Sequence, residues 1–359
     1  MSSRSLAAVF YGVPGTVELQ ELTTPTPRGP EILVKVESCT LCGSDLHSIE
    51  GRRKVPVPTI LGHEIVGRIE AFGPDAVRQD FSGKPLSEGD RIVWALVAAC
   101  GRCLYCQRDL PQKCLSAVKY GHEAFRTGYE LLGGLAERCL LTPGTAIVRV
   151  PEKLTLNTIS PAGCATATIA SALEATGDLR GRVVCIAGAG LLGLTAAAMS
   201  RSRSADVVIV CDVQPARLDW ARRFGATHCV HPDGLTPLIR ELTSNQGVDI
   251  ALEVSGAPQA FESLFPNVRM GGQLLLIGAV FPSAPVPIAI EQIVRRNLTL
   301  RGIHNYGPDH LVQAVNFLDQ YQEQFPFDRI VADWFSLRDV ASAITAAHNP
   351  NVIRVGVIP

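Results

Sequence analysis

The 359-residue sequence lacks a charge excess of either sign, with a formal net charge of -1. A protein that binds nucleic acid or an anionic membrane surface advertises it through a strongly basic field. This balance excludes that signal, so neither partner is expected. A long apolar run is missing as well. The chain is 47% hydrophobic, yet no run reaches the ~18 apolar residues without charge that a membrane-spanning helix needs. Met1 to Tyr11 lacks the apolar core and cleavage site of a secretory signal. There is no internal repeat, and low complexity is confined to residues 200–204. The cysteine pattern of a small disulfide scaffold is absent too. The eleven cysteines are odd in number, and Cys185, Cys211 and Cys229 stand alone in apolar runs. A reducing compartment with metal-bound thiols fits better, so a soluble cytoplasmic protein is expected. The length suggests two domains around sizeable cores.

What is present begins at residues 39–64. Cys42 and His63 lie 21 residues apart, beside the carboxylates Asp45 and Glu64. Catalytic zinc takes three protein ligands and leaves one position open. Gly43 and Gly62 would let the backbone turn beside the ligands, and Asp45 could fix the ring of His63 from behind. The competing reading is a buried thiol and a hydrogen-bonded core histidine. Around this stretch, residues 1–100 read as β-rich. Residues 32–36 and 64–70 are short β-branched runs punctuated by Gly and Pro.

Cys100, Cys103, Cys106 and Cys114 come next, with two, two and seven residues between them. Four thiolates on one short loop suit a closed, structural zinc site, whose metal would add folding energy to an irregular lobe. Two disulfides conflict with a reducing compartment, and iron–sulfur spacings differ from this one. Residues 115–135, with Lys119 and His122, are polar and irregular and read as a surface loop near a site. Residues 160–176 read as one helix of small side chains. Cys164 at its start is the candidate third zinc ligand, against the alternative of a small core cysteine.

Residues 181–187 then form an apolar strand. Gly188-Ala189-Gly190-Leu191-Leu192-Gly193 comes at once, leading into an Ala-rich helix at 194–200. The next strand, 207–211, ends at Asp212, nineteen residues after Gly193. In a dinucleotide site the first glycine makes the turn and the second admits the pyrophosphate. The third packs helix on strand, and the acid bonds the ribose 2′-hydroxyl. Strand-like runs at 226–230, 248–252 and 273–278 alternate with helical patterns, as a parallel sheet requires. After residue 300 come a loop holding His304, an amphipathic helix over 309–321, and a last strand with Arg354.

Taken together, Cys42-Gly43-Ser44-Asp45, Gly62-His63-Glu64, the four-cysteine lobe, Cys164, the glycine turn and Asp212 resemble a zinc-dependent medium-chain alcohol dehydrogenase over essentially the whole chain. The resemblance implies an α/β fold: a GroES-like β-rich catalytic domain (1–165 and 304–359, with a structural zinc lobe at about 97–116) plus a Rossmann doubly wound parallel sheet (166–303), with the active site in the cleft between them. It implies two zinc ions per chain, one on Cys42, His63 and Cys164 and one on the four-cysteine lobe. Glu64 would be the carboxylate able to swing onto the catalytic metal. The proton would leave through Ser44, a cofactor ribose hydroxyl and His47. NAD would lie against Gly188, Gly190, Leu191, Leu192, Gly193, Asp212, Arg217, Ile277, Gly278, Ala279 and Arg354. Gly43 stands where some members carry a basic residue against the pyrophosphate. A homodimer or homotetramer is the expected assembly.

The expected function is oxidation of a small alcohol by NAD, giving an aldehyde or ketone. Basic and polar residues on three segments, with Arg53, Lys119, His122 and His304, suggest an acidic group on that alcohol, because the arginine fork bonds two oxygens at once. The alternative for Arg52 to Lys54 is a solvated basic turn. Residues 119–122 and 304–306 faintly resemble the dehydrogenases associated with phosphonate breakdown. The alternatives are a polyol or neutral secondary alcohol dehydrogenase, and a catalytically silent nucleotide-binding member. Zinc-free quinone reductases share the glycine turn but lack the zinc ligands.

Overall fold

The computed structural model describes residues 3–359, so the first two residues of the expected catalytic domain, and of the stretch read for a secretory signal, lie outside the described residues. The chain forms two compact units. The first comprises Met1–Ala167, Gly307–Gln322 and Phe327–Pro359, and the second Thr168–Tyr306 with Glu323–Pro326. Among the described residues, no helix is long and apolar enough to cross a membrane.

The first unit is β-rich. Its main sheet runs Ile147–Arg149, Arg91–Trp94, Glu64–Phe72, Ile32–Thr40, Arg354–Ile358 and Val331–Ser336, with Arg138–Leu141 also on Ile32–Thr40. The long central pair is antiparallel and registers Thr40 opposite Glu64. That register brings the ends of both strands to one place, so Cys42 and His63, which flank them, meet. Arg354 opens the strand on the other side of Ile32–Thr40. Buried Val34, Val36, Ile65 and Ile69 from the central strands join Leu131, Leu135, Leu140 and Val355 in one core.

The second unit holds a six-stranded sheet ordered His228–Val230, Val207–Cys211, Val183–Ala187, Val248–Glu253, Val268–Leu276 and Thr299–Gly302, every neighbouring pair parallel. Its central strands are buried along nearly their whole length. This is why they read as continuous apolar runs rather than alternating ones. The strand order reverses between Val183–Ala187 and Val248–Glu253, the place where doubly wound sheets bind ligands.

Two local expectations need correction. Residues 160–176 are not one regular helix. Residues 162–166 wind as a π turn, with the Thr166 N–H reaching back to the Pro161 carbonyl (3.1 Å), and the α-helix Ala167–Glu174 continues from it. A π turn inserts one residue and rotates the next stretch of helix, a device common at functional sites. Residues 115–135 are not wholly a surface loop either. Tyr120 and His122 are buried, and so is the run from Leu131 to Leu135. Gly134 and Leu135 donate backbone hydrogen bonds to Gly62 and Leu61 (2.8 and 3.0 Å), so this polar-looking segment backs the loop that carries His63. The misreading arose because its polar residues are satisfied by backbone partners that no local pattern reveals.

Candidate active site

Cys42 stands in extended conformation just ahead of the short helix Gly43–Ile49. Asp45, one turn into that helix and fully buried, ties the site together. Its Oδ2 accepts from the Cys42 N–H (2.9 Å), and its Oδ1 accepts from the Gly62 N–H (3.1 Å) and from His63 Nδ1 (3.1 Å). The Nδ1 proton is therefore committed to Asp45, and Nε2 is the nitrogen left to face a metal once it gives up its own proton. Burial disfavours the imidazolium, but the Asp45 carboxylate outweighs it and raises the ring to about 10. Gly62 has φ +88, and a Cβ there would lie 2.6 Å from Cys39 Sγ, so only glycine fits before His63.

Cys164, on the π turn, brings its Sγ 3.6 Å from His63 Nε2. The donor atoms of Cys42, His63 and Cys164 all lie within 4.8 Å of one another. A hydrogen bond from Cys164 and the positive charge of Arg354 hold the Cys42 thiol well below its ordinary value, although burial works against them. Two sulfurs and one imidazole nitrogen, with the other ring nitrogen held by a carboxylate, suit a catalytic zinc.

Around this trio, Ser44 Oγ lies 3.4 Å from His63 Nε2. Glu64 is fully buried and accepts from Thr40 Oγ1 (2.5 Å) and from Arg354 Nε and Nη2 (2.8 and 2.9 Å). Desolvation raises its pKa against the pull of Arg354. Arg354, expected at a pyrophosphate, thus spends two of its donors on Glu64 and points Nη2 at Cys42 Sγ (3.7 Å). His47 sits half-buried on the Gly43–Ile49 helix with Nδ1 3.7 Å from Glu50 Oε2. Burial, then the charge of Arg52, hold it below ordinary histidine, so it is a neutral acceptor at neutral pH.

A basic cluster flanks the trio. The His122 ring packs against the His63 ring with centroids 5.2 Å apart. Arg53 Nη1 lies 2.6 Å from His122 Nε2. Desolvation is the largest cause that lowers both Arg53 and Lys119, the latter to about 8. Arg52, in contrast, is exposed and paired with Glu50. His304 is exposed and belongs to the second unit. No sequence pattern hinted at the Arg53–His122 or Arg354–Glu64 pairs, because their members lie 69 and 290 residues apart.

The lobe cysteines form a second cluster. All four thiols lie within 4.8 Å of one another. The Cys103–Cys106 and Cys103–Cys114 sulfurs stand 3.5 and 3.9 Å apart, which brackets the ~3.8 Å edge of a tetrahedron with zinc–sulfur bonds of about 2.3 Å. All four cysteines are free. Cys114 Sγ accepts N–H bonds from Cys100 and Ser116, and backbone N–H groups draw Cys103 down to about 6.

In the second unit, Gly188 takes φ +111 at the turn, and a Cβ on Gly193 would lie 1.8 Å from the Gly188 carbonyl oxygen. Gly190 has open space where a Cβ would go, and it caps the helix Leu191–Ser202. A phosphate can therefore approach free helix N–H groups there. Asp212 accepts from the Ala189 N–H (2.6 Å) and the Gln214 N–H (2.8 Å). Arg217 lies in the first turn of the next helix, Pro215–Arg223. Ile277 and Gly278 both donate to the Glu253 carbonyl (2.9 and 3.0 Å). Glu253 carries no sequence signal that marks it as part of the site. Its Oε1 accepts from Ser255 N, Ser255 Oγ and Gly256 N, each at 2.7 Å, and so shapes the loop against which Gly188 packs.

Comparison with known proteins agrees with this chemistry. Residues 28–152 match the alcohol dehydrogenase GroES-like domain, and residues 192–320 match the zinc-binding dehydrogenase domain. The chain is 32% identical to an L-threonine 3-dehydrogenase of Pectobacterium carotovorum over 78% of this chain and 79% of that one. It is 29% identical to the 5-exo-hydroxycamphor dehydrogenase of Pseudomonas putida over 89% of each. An alcohol dehydrogenase structure from Thermotoga maritima superposes with a TM-score of 0.92 at 29% identity, covering 99% of this chain and all of that one. A GroES-like unit with two clusters that could hold zinc, a parallel dinucleotide-type sheet and these relatives place the chain among the zinc-dependent alcohol dehydrogenases of the medium-chain dehydrogenase/reductase superfamily, as an oxidoreductase.

Proposed function

We propose that the protein is an NAD-dependent dehydrogenase of small alcohols that carry an acidic group. Cys42, His63 and Cys164 would hold the catalytic zinc, and Cys100, Cys103, Cys106 and Cys114 the structural one. We assign the metal chemistry to the first unit and the dinucleotide to the second. Zinc at the trio would lower the pKa of a substrate hydroxyl, and NAD would accept the hydride. Ser44, beside the ligand nitrogen, would receive the hydroxyl proton, and neutral His47 would release it to water. Arg354 would keep Glu64 off the metal by occupying both of its oxygens. Asp212, already turned toward the glycine loop, would accept from a ribose 2′-hydroxyl and repel a 2′-phosphate.

The observation that carries the acidic-group reading is a pair of partly desolvated cations, Arg53 and Lys119, beside the trio. No carboxylate lies within ion-pair range of the Lys119 side chain among the described residues. A desolvated cation such as Lys119 is costly unless an anion arrives to meet it. Threonine, named for several relatives, is itself an alcohol with a carboxylate. The hydroxycamphor relative favours a second reading, a neutral secondary alcohol.

The test is a screen following reduced cofactor with matched alcohols bearing a carboxylate, a phosphonate or neither, using NAD and NADP. Higher catalytic efficiency with acid-bearing alcohols and NAD is expected. Neutral alcohols that match or exceed them sink the acidic-group reading. Better efficiency with NADP sinks the reading of Asp212.

A further inference from the structure

We propose that His122 acts as a fixed strut that positions Arg53 to read the substrate's acid group, and that this restricts substrates to alcohols whose acid group lies one or two carbons from the carbinol. The inference rests on the acid-bearing-substrate reading and narrows it.

The hydrogen-bond chemistry assigns the His122 tautomer. Its Nδ1 lies 3.0 Å from the Tyr120 carbonyl oxygen, which can only accept, so Nδ1 carries the proton. Arg53 Nη1, which can only donate, lies 2.6 Å from Nε2, so Nε2 carries the lone pair. The ring is neutral, with a partner at each nitrogen. Its backing is rigid. Tyr120 is fully buried, its hydroxyl lies 2.6 Å from Thr145 Oγ1 and accepts from the Thr142 N–H (2.9 Å), and His122 itself is 6% exposed. The Arg53 backbone is anchored as well, through its N–H on the His47 carbonyl (2.9 Å). Both ends of the arginine are thus set before a ligand arrives. Holding a rotamer-rich side chain in advance removes part of the ordering cost of binding.

Spacing is set by the ring contacts. The His122 ring meets Arg53 at Nε2 and lies tilted against the His63 ring, with centroids 5.2 Å apart and planes at 49°. One imidazole thus touches both the guanidinium and a candidate zinc ligand. An alcohol whose oxygen sits at the metal position can reach the guanidinium fork only if its acid group is close to the carbinol. A long chain would carry that group past Arg53. The matching class is 2-hydroxy and 3-hydroxy acids, and their phosphonate counterparts, rather than acids with a hydroxyl at the far end.

The test uses the zinc-loaded enzyme with NAD and six-carbon substrates of one composition: 2-, 3- and 6-hydroxyhexanoate, with the corresponding hexanols as neutral references. For wild type, the acid-to-neutral ratio of kcat/KM is expected to be about tenfold or more higher for the 2- or 3-hydroxy acid than for the 6-hydroxy acid, since one charge-assisted fork is gained or missed. H122A should lower that ratio about tenfold through KM rather than kcat, and H122N, which keeps an acceptor for Arg53, should recover most of it. R53K should lose the ratio because an ammonium lacks the planar fork. Calorimetric titration of the same acids into zinc-loaded, cofactor-free protein should give the same ranking of affinities. The proposal is overturned if the ratio is flat across the three positions, or if H122A and H122N lose it equally while folded and zinc-loaded. It is also overturned if His122 variants depress kcat for acids and neutral alcohols alike. Neutral hexanols that outperform every acid in wild type overturn the acidic-substrate reading itself. Acid preference that survives without dependence on spacing or His122 overturns this inference alone.

Discussion

The two cysteine clusters are built in opposite ways. Cys100, Cys103, Cys106 and Cys114 come from one short loop, and three of the four are only partly buried. Local turns bring these sulfurs together, and backbone N–H groups donate to Cys114. Cys42, His63 and Cys164 come from three separate elements, and their approach depends on a sheet register, a π turn and a buried aspartate. A local cluster can assemble with its metal as the lobe folds. A dispersed one must be preassembled by the fold, which is what an open catalytic position demands. Surroundings diverge accordingly. The lobe thiols meet one another and backbone donors, whereas the dispersed trio sits among Asp45, Glu64, Arg354, Arg53 and Lys119.

The largest expected effect separates the clusters outright. If Cys164 is the proposed third zinc ligand, Cys164→Ser should cut turnover by about a thousandfold or more while sparing fold and cofactor binding. Zinc content should fall from about two to about one per chain. Cys103→Ser should act mainly on thermal stability and solubility. A Cys103 variant that folds normally yet loses turnover to the same degree, or near-normal activity in the Cys164 variant, would break the contrast.

Next in size is the buried aspartate that the lobe has no counterpart for. Asp45→Asn should weaken zinc at the trio by about 10–100-fold, the usual cost of losing the carboxylate behind a ligating histidine. Competition with a chelator, monitored by metal analysis, should show the lobe zinc unmoved. Equal loss from both clusters would mean that Asp45 holds the whole unit rather than His63.

The smallest effect sharpens the electrostatic side. Lys119 is held at about 8, so its cation is present below that pH and lost above it. KM for an acid-bearing substrate should therefore stay level up to about pH 8 and rise several-fold beyond it, as one favourable charge disappears. A neutral alcohol should show no such step, and Lys119→Ala should flatten it. Identical pH profiles for acid and neutral substrates in wild type would remove Lys119 from the substrate's surroundings.

Legibility in the sequence obeys the same divide. The four-cysteine lobe could be read from spacing alone, because all its donors lie within fifteen residues. The glycine turn and Asp212 were legible because strand, turn, helix and strand succeed one another directly. Cys42 and His63 showed as a pair of suitable donors, but the third donor was one cysteine among several. Residues 115–135 were misread in part, because buried polar residues backed by main-chain groups look like loop. The π turn at 162–166 was hidden for a related reason: small side chains fit an α-helix equally well, and packing selects the wider turn.

By itself, then, the sequence determined the chemistry that could occur and the local pieces that would carry it. Donor types, glycine positions, apolar runs and turn residues act over a few residues, and their physics is local. Only the tertiary structure decided which donors meet. It set Asp45 behind His63, closed Arg354 on Glu64 across 290 residues, and brought His122 against both Arg53 and His63. Such pairings depend on sheet register and burial, and a buried polar group is satisfied by whichever partner the whole fold delivers.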